Sequence, residues 1–154
     1  MAATQHLRLL VTLLLVATLI VGASVADDSP PAPTQQPQPQ PTAYQMLERY
    51  NFTQGILPQG VTGYVLNADG SFEVYLPADC GFRAGSMHVQ YSSRVAGHIQ
   101  PLSISGLEGV KVKVLLSWIG VDQVDRDGDQ LRFSAGPVSK SFSVDTFANS
   151  PQCS

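Results

Sequence analysis

The chain has 154 residues, nine Lys and Arg against 12 Asp and Glu, and a formal net charge of −3. So mildly acidic a composition lacks the clustered cations that a nucleic-acid partner requires, and it excludes that partner. With two cysteines, three histidines and no nucleophile elbow of the Gly-x-Ser-x-Gly kind, composition and motifs alone name no chemistry.

The first 26 residues read as a secretory signal peptide. His6 and Arg8 give a weakly basic start, an apolar run extends from Leu9 to Val21, and the small residues Gly22, Ala23, Ser24 and Ala26 precede Asp27. The run is short of the ~20 residues of a membrane span, so cleavage after Ala26 is expected, with an uncleaved signal anchor as the alternative, and no transmembrane segment is expected in the mature chain. Residues 27–41 form a leader of alternating Pro, Gln, Ser and Thr without bulky apolar groups. Such a segment cannot bury enough surface to fold and is expected to be disordered and polyproline-like. Residues 42–153, which hold all the aromatic side chains, form a single domain.

Thr42-Ala43-Tyr44-Gln45 has the spacing of a capping box, so residues 43–50 are expected to form one short helix that docks through Met46 and Leu47. Asn51-Phe52-Thr53 is a glycosylation sequon, which marks Asn51 as a surface position in a secreted chain. A first strand is expected over residues 61–66. Asn67-Ala68-Asp69-Gly70 supplies a hairpin turn, and Phe72, Val74 and Leu76 alternate on a second strand that Pro77 ends. Cys80 is expected in a loop with Gly81 and Gly85, followed by a third strand through Met87, Val89 and Tyr91. Short pieces at residues 97–99 and 102–104 are separated by Pro101, which has no N–H for a ladder.

Val110, Val112 and Val114 alternate with Lys111 and Lys113, the pattern of a half-buried strand. From Val114 to Val121 the alternation gives way to Leu115, Leu116, Trp118 and Ile119, so this half is expected to be covered on both faces. The turn Asp125-Arg126-Asp127-Gly128-Asp129 then returns the chain along Leu131, Phe133 and Ala135, making one long hairpin. Val138, Phe142 and Val144 form the last strand, with Phe147 under the end of the barrel. The expected fold class is all-β, a small antiparallel-rich barrel or pseudobarrel with one short N-terminal helix.

Cys80 and Cys153 are expected to pair in an oxidising compartment, closing a long loop; two free or intermolecular thiols are the alternative. His88 and His98 are too few for a zinc site, and the acidic turn at 125–129 places Gln123 and Ser134 where a calcium loop needs carboxylates, so no metal or cofactor is expected. Lys140 shares the strand parity of Val138, Phe142 and Val144 and therefore points to the apolar side. Either it meets Asp122 at the mouth of a ligand site, or a bulge at 139–141 swings it into water, the commoner outcome. An ammonium in open solvent and far from any carboxylate would leave no such mouth.

An ordered series of motifs carries a resemblance: Leu57-Pro58 with Gly60-Val61, Gly70 and Phe72 before Tyr75-Leu76-Pro77, Cys80, Tyr91, Gly97, Gly109-Val110-Lys111-Val112-Lys113, Trp118, Phe133, Gly136, Ser139-Lys140-Ser141-Phe142, Phe147, and Pro151 with Cys153. Over essentially residues 44–153 the chain resembles the plant domain-of-unknown-function family 538. Ser143 stands where that family usually has a proline, which permits a longer last strand. The resemblance implies a β-rich barrel or pseudobarrel with an N-terminal helix in a plant secretory protein, located outside the cell or in the wall. It also implies a relation to lipid-binding proteins of the bactericidal permeability-increasing type, and a hydrolase role has been suggested. It supplies no catalytic residue.

The reading that results is a non-enzymatic binding module for an apolar or amphipathic ligand such as a lipid, with Leu116, Trp118, Phe133, Lys140 and Phe142 as the candidate ligand surface. The alternatives are an esterase-like hydrolase, which needs His88 or His98 within reach of a serine and a carboxylate, and a wall- or stress-related interaction protein without a ligand pocket.

Overall fold

The computed structural model describes residues 39–154. The expected signal peptide and the leader up to residue 38 lie outside the described residues. The helix α1 (Ala43–Arg49) starts as its sequence requires: the Thr42 hydroxyl accepts from the Gln45 N–H, and the Gln45 side chain accepts from the Thr42 N–H. It stops in a Schellman turn. Asn51 takes a left-handed φ of 64°, its N–H bonds the Glu48 carbonyl, and the Phe52 N–H bonds the Leu47 carbonyl. Met46, Leu47 and Phe52 are all buried, which is what holds so short a helix together.

Nine strands follow: β1 (Gly63–Leu66), β2 (Ser71–Tyr75), β3 (Cys80–Ala84), β4 (Met87–Gln100), β5 (Ser103–Val114), β6 (Ser117–Gly120), β7 (Gln123–Asp127), β8 (Gln130–Ala135) and β9 (Val138–Ser143). They form one antiparallel sheet ordered β1-β2-β4-β5-β7-β8-β9, with β3 added to β4 and β6 added to β5. The two long strands change partners along their length. β4 pairs with β3 through Met87 to Tyr91 and with β2 through Arg94 to His98, while β5 pairs with β7 through Ser103 to Ser105 and with β6 through Lys111 to Val114.

Both partner changes fall at bends. The β4–β5 register shifts between Tyr91 and His98, and opposite it Gly106 and Gly109 take φ of 56° and 87°. At Gly109 a Cβ would lie 2.4 Å from the Arg94 carbonyl oxygen, so the chain can cross there only as glycine. The bends curl the sheet around one core in which Leu131 is fully buried and Val74, Val121 and Val124 nearly so. Each such side chain contributes roughly 1.5–3 kcal/mol. β1 and β9 do not pair, so the sheet is open and the expected pseudobarrel describes it better than a closed barrel.

Four sequence expectations change. The single long hairpin is two: β5 ends at Val114, turns through Leu115 and Leu116, and returns as β6, and only then does the β7–β8 hairpin begin. The apolar run through residues 114–121 is therefore a hairpin tip with Leu115 93% and Leu116 92% exposed, and not a strand covered on both faces. Cys80 lies on β3 rather than in a loop, and the short pieces around Pro101 are the ends of β4 and β5, joined by a tight turn at Pro101 and Leu102.

The C-terminal segment closes the structure. After β9 a 3-10 turn (Val144–Phe147) buries Phe147, whose ring lies 5.1 Å from Phe133 and 5.9 Å from Phe142, centroid to centroid. Cys153 is disulfide-bonded to Cys80, and the Ser154 N–H bonds the Gly81 carbonyl, so the tail lies along β3. Linking residues 73 apart in sequence stabilises the fold by about 4 kcal/mol through the unfolded chain's lost entropy.

Candidate functional site

The two ends of the strands differ. At one end, the turn between β4 and β5 and the β7–β8 hairpin are tied to α1: the Leu102 N–H bonds the Tyr50 carbonyl, and the Arg126 guanidinium donates to the Asn51 carbonyl at 2.7 Å. Beneath α1 the core holds only a void of about 30 Å³, lined by side chains such as Met46, Leu47, Val74, Tyr91 and Val124. That is room for about one water and offers it no polar partners, so the void stays dry. A second void of about 10 Å³ lies between Phe82, Tyr91 and Phe147, so among the described residues these parts of the interior are filled with side chains.

At the other end, the tips of the β3–β4, β5–β6 and β8–β9 hairpins surround an open cleft of about 270 Å³. Ser86 and Met87 line it from the first hairpin, Val112, Lys113, Val114 and Leu115 from the second, and Ala135, Val138 and Lys140 from the third, with Val121 and Phe133 at its base. Strand alternation produces this lining. Val112 and Val114 face inward while Lys111 and Lys113 face out, and the pairing of Ala135 with Val138 and Phe133 with Lys140 puts all four side chains on the inner face.

Lys140 therefore points where its parity predicts, and the β8–β9 register runs without a bulge. The expected partner is absent: among the described residues no carboxylate lies within ion-pair distance of Lys140, and the one ion pair joins Arg94 to Glu73. Instead the ammonium sits 5.2 Å from the centroid of the Phe142 ring, along the wall of the cleft. It stands exposed in water because the sheet is open at this end, which offsets the cost of an inward charge, so the expected Lys140–Asp122 contact and the ligand mouth built on it are not formed.

The other candidate residues divide. Phe133 and Phe142 sit together on the inner face, 5.9 Å apart at right-leaning ring angles, and Phe133 forms the base of the cleft. Trp118 pairs with Lys113 and so belongs to the outer face, 45% exposed, while Leu116 stands in water at the tip; neither lines the cleft. Sequence reasoning missed Met87, Val114 and Ala135 as lining residues, because the two-residue turn at Leu115 and Leu116 carries none of the glycine or asparagine that announces one.

The histidines show what the arrangement can do chemically. Ser71 pairs with His98 across β2 and β4, but the Ser71 hydroxyl donates to Asp69 at 2.6 Å and accepts from Asn67 at 2.9 Å, so it offers its proton to a carboxylate rather than to an imidazole. The Ser71 bonds hold the Asp69 carboxyl below the usual carboxylate range. His88 Nε2 accepts from the Arg83 guanidinium at 2.9 Å, which occupies the lone pair a general base needs. Among the described residues no group of three or more His, Cys, Asp or Glu side chains is placed to hold a metal, and no helix is long and apolar enough to cross a membrane.

An open antiparallel sheet curled around its own side chains, plugged by one helix at one end and cleft at the other, defines a β-rich pseudobarrel domain. The chain belongs to the family described as "Protein of unknown function, DUF538", whose model matches residues 43–148. It is also similar to an uncharacterized protein of Arabidopsis thaliana, 28% identical over 116 residues, which cover 73% of this chain and 64% of that one. The match thus spans a little under two thirds of the relative's length.

Proposed function

We propose that the domain is a non-enzymatic binding module that takes the apolar chain of an amphipathic small molecule, such as a lipid, in the cleft between the three hairpin tips. The observation that carries this reading is the contrast between a filled interior and an open, apolar-lined cleft of about 270 Å³, a little below the ~300–1,000 Å³ of small-molecule sites. Met87, Val112, Val114 and Val138 supply the apolar wall, and the Lys140 ammonium supplies a partner for an anionic headgroup at its rim.

Titration of decanoate into the full chain by calorimetry tests it. Saturable one-to-one binding that Val138→Trp abolishes, because the larger ring fills the cleft, is the expected result. Absence of heat and of binding overturns the reading and favours a protein that acts by its surface alone.

The expected secretion belongs to the same proposal: protein recovered from the medium of a plant expression host should begin at Asp27. Asn51 is exposed at the end of α1, where a glycan has room, and we place one there. Treatment with a peptide N-glycosidase should lower the mass of the secreted chain, and an unchanged mass contradicts this.

A further inference from the structure

Leu115 is a poor choice for the fold. It is the first residue of a two-residue hairpin turn, it has a left-handed φ of 57°, and its side chain is 93% exposed. That conformation is strained for a leucine and is the place where glycine or asparagine is favoured. Leu116 beside it is 92% exposed, with Trp118 on the outer face of β6 and Val138 on the β8–β9 tip also exposed, at 45% and 39%. Apolar side chains held out at one end, one of them at a conformational cost, mark a contact surface.

Charge says what the surface meets. Residues 80–90, 110–121 and 131–144, the parts of the strands nearest these tips, contain Arg83, Lys111, Lys113, Arg132 and Lys140 and no Asp or Glu, in a chain with 12 acids and a net charge of −3. All three lysines of the chain lie on β5 and β9. Leucines at the apex, with Trp118 and Lys113 paired side by side two positions back and Lys111 behind them, suit a bilayer that presents acyl chains first and then an interface of aromatic-binding and phosphate groups.

We infer that the three-hairpin end docks on a membrane surface containing anionic phospholipid, with Leu115 and Leu116 inserted below the headgroups and Lys113 and Lys140 on the phosphates. This deepens the proposed function and rests on it in one respect: it makes the bilayer the source of the amphipathic ligand. The cleft opens between the inserted tips, so an acyl chain can enter it without crossing water.

Trp118 is the only tryptophan in the chain, so its emission reports the contact. The full chain is mixed with vesicles of phosphatidylcholine alone and of phosphatidylcholine with phosphatidylserine. The expected result is a blue shift and cosedimentation with the anionic vesicles, weakened by salt. Leu115→Asn with Leu116→Ser should lower vesicle affinity about tenfold or more, and Lys113→Gln with Lys140→Gln about tenfold. The Leu115→Asn substitution suits the left-handed turn, so that variant should fold with undiminished thermal stability and its loss of binding cannot be charged to unfolding.

No shift with anionic vesicles, or equal binding by the Leu115→Asn, Leu116→Ser variant, overturns the docking. So does a wild-type dimer in ultracentrifugation that these substitutions dissociate, since a second copy would then be what covers the tip. Decanoate binding that survives a failed vesicle assay overturns the docking and spares the cleft. Vesicle binding without decanoate binding does the reverse.

Discussion

Tyr91 sits in the middle of the core, stacked on Phe82 with centroids 5.6 Å apart and its hydroxyl donating to the Ile56 carbonyl. Burial pushes the phenol well above its ordinary pKa, so the folded protein keeps it neutral in a range where the unfolded chain ionises it. Above about pH 10 the folded state binds the extra proton, so stability is complete below that pH and falls as the pH rises. Tyr91→Phe should cost about 1 kcal/mol at neutral pH through the lost hydrogen bond and should flatten the alkaline decline, as urea midpoints between pH 7 and pH 11 would show. Asn51 offers a second residue-scale test. Its left-handed backbone makes the Schellman turn, so Asn51→Gly should leave the melting temperature nearly unchanged while Asn51→Val destabilises by about 1–3 kcal/mol. Equal effects of the two would contradict the role assigned to its backbone.

Elements meet where the 3-10 turn at Gln54–Ile56 crosses the one at Val144–Phe147. A Cβ on Gly55 would lie 2.2 Å from the Phe147 carbonyl oxygen, a backbone atom that cannot step aside alone. Gly55→Ala should therefore part the two turns, lift Phe147 from Phe133 and Phe142, and lower the melting temperature; no change would mean that the C-terminal segment docks loosely. At this scale the sequence was legible where local chemistry and burial agree. The capping box, the Asn67 to Gly70 turn and the alternation of Phe72 and Val74 are all visible in the residues and all present in the fold. It misled at residues 114–121, because a two-faced apolar run reads as a covered strand, and nothing in Leu115 or Leu116 signals a turn. It also hid the length of β4 and β5, since Gly106 and Gly109 look like chain breaks when they are bends in a continuous strand, and only Pro101 marks a turn between strands.

For the whole molecule, parity placed Lys140, Phe133 and Phe142 on the inner face correctly, yet it could not say that the sheet stays open, and that openness is what leaves Lys140 wet. Which side chains share a cleft depends on three hairpins far apart in sequence reaching the same end, a fact of topology that no local pattern carries. The tail is part of that closure: replacing Cys80 and Cys153 together by serine should cost about 4 kcal/mol in denaturant unfolding, and a cost near zero would show that the disulfide contributes little beyond the hydrogen bonds of the tail. The central claim, that the open end is where a ligand binds, is tested most directly by amide chemical-shift mapping of the full chain with decanoate. Shifts should concentrate at Met87, Val114, Leu115, Val138 and Lys140, with the α1 end unmoved. Shifts centred instead on Ser71 and His98, or none at saturating decanoate, would contradict it.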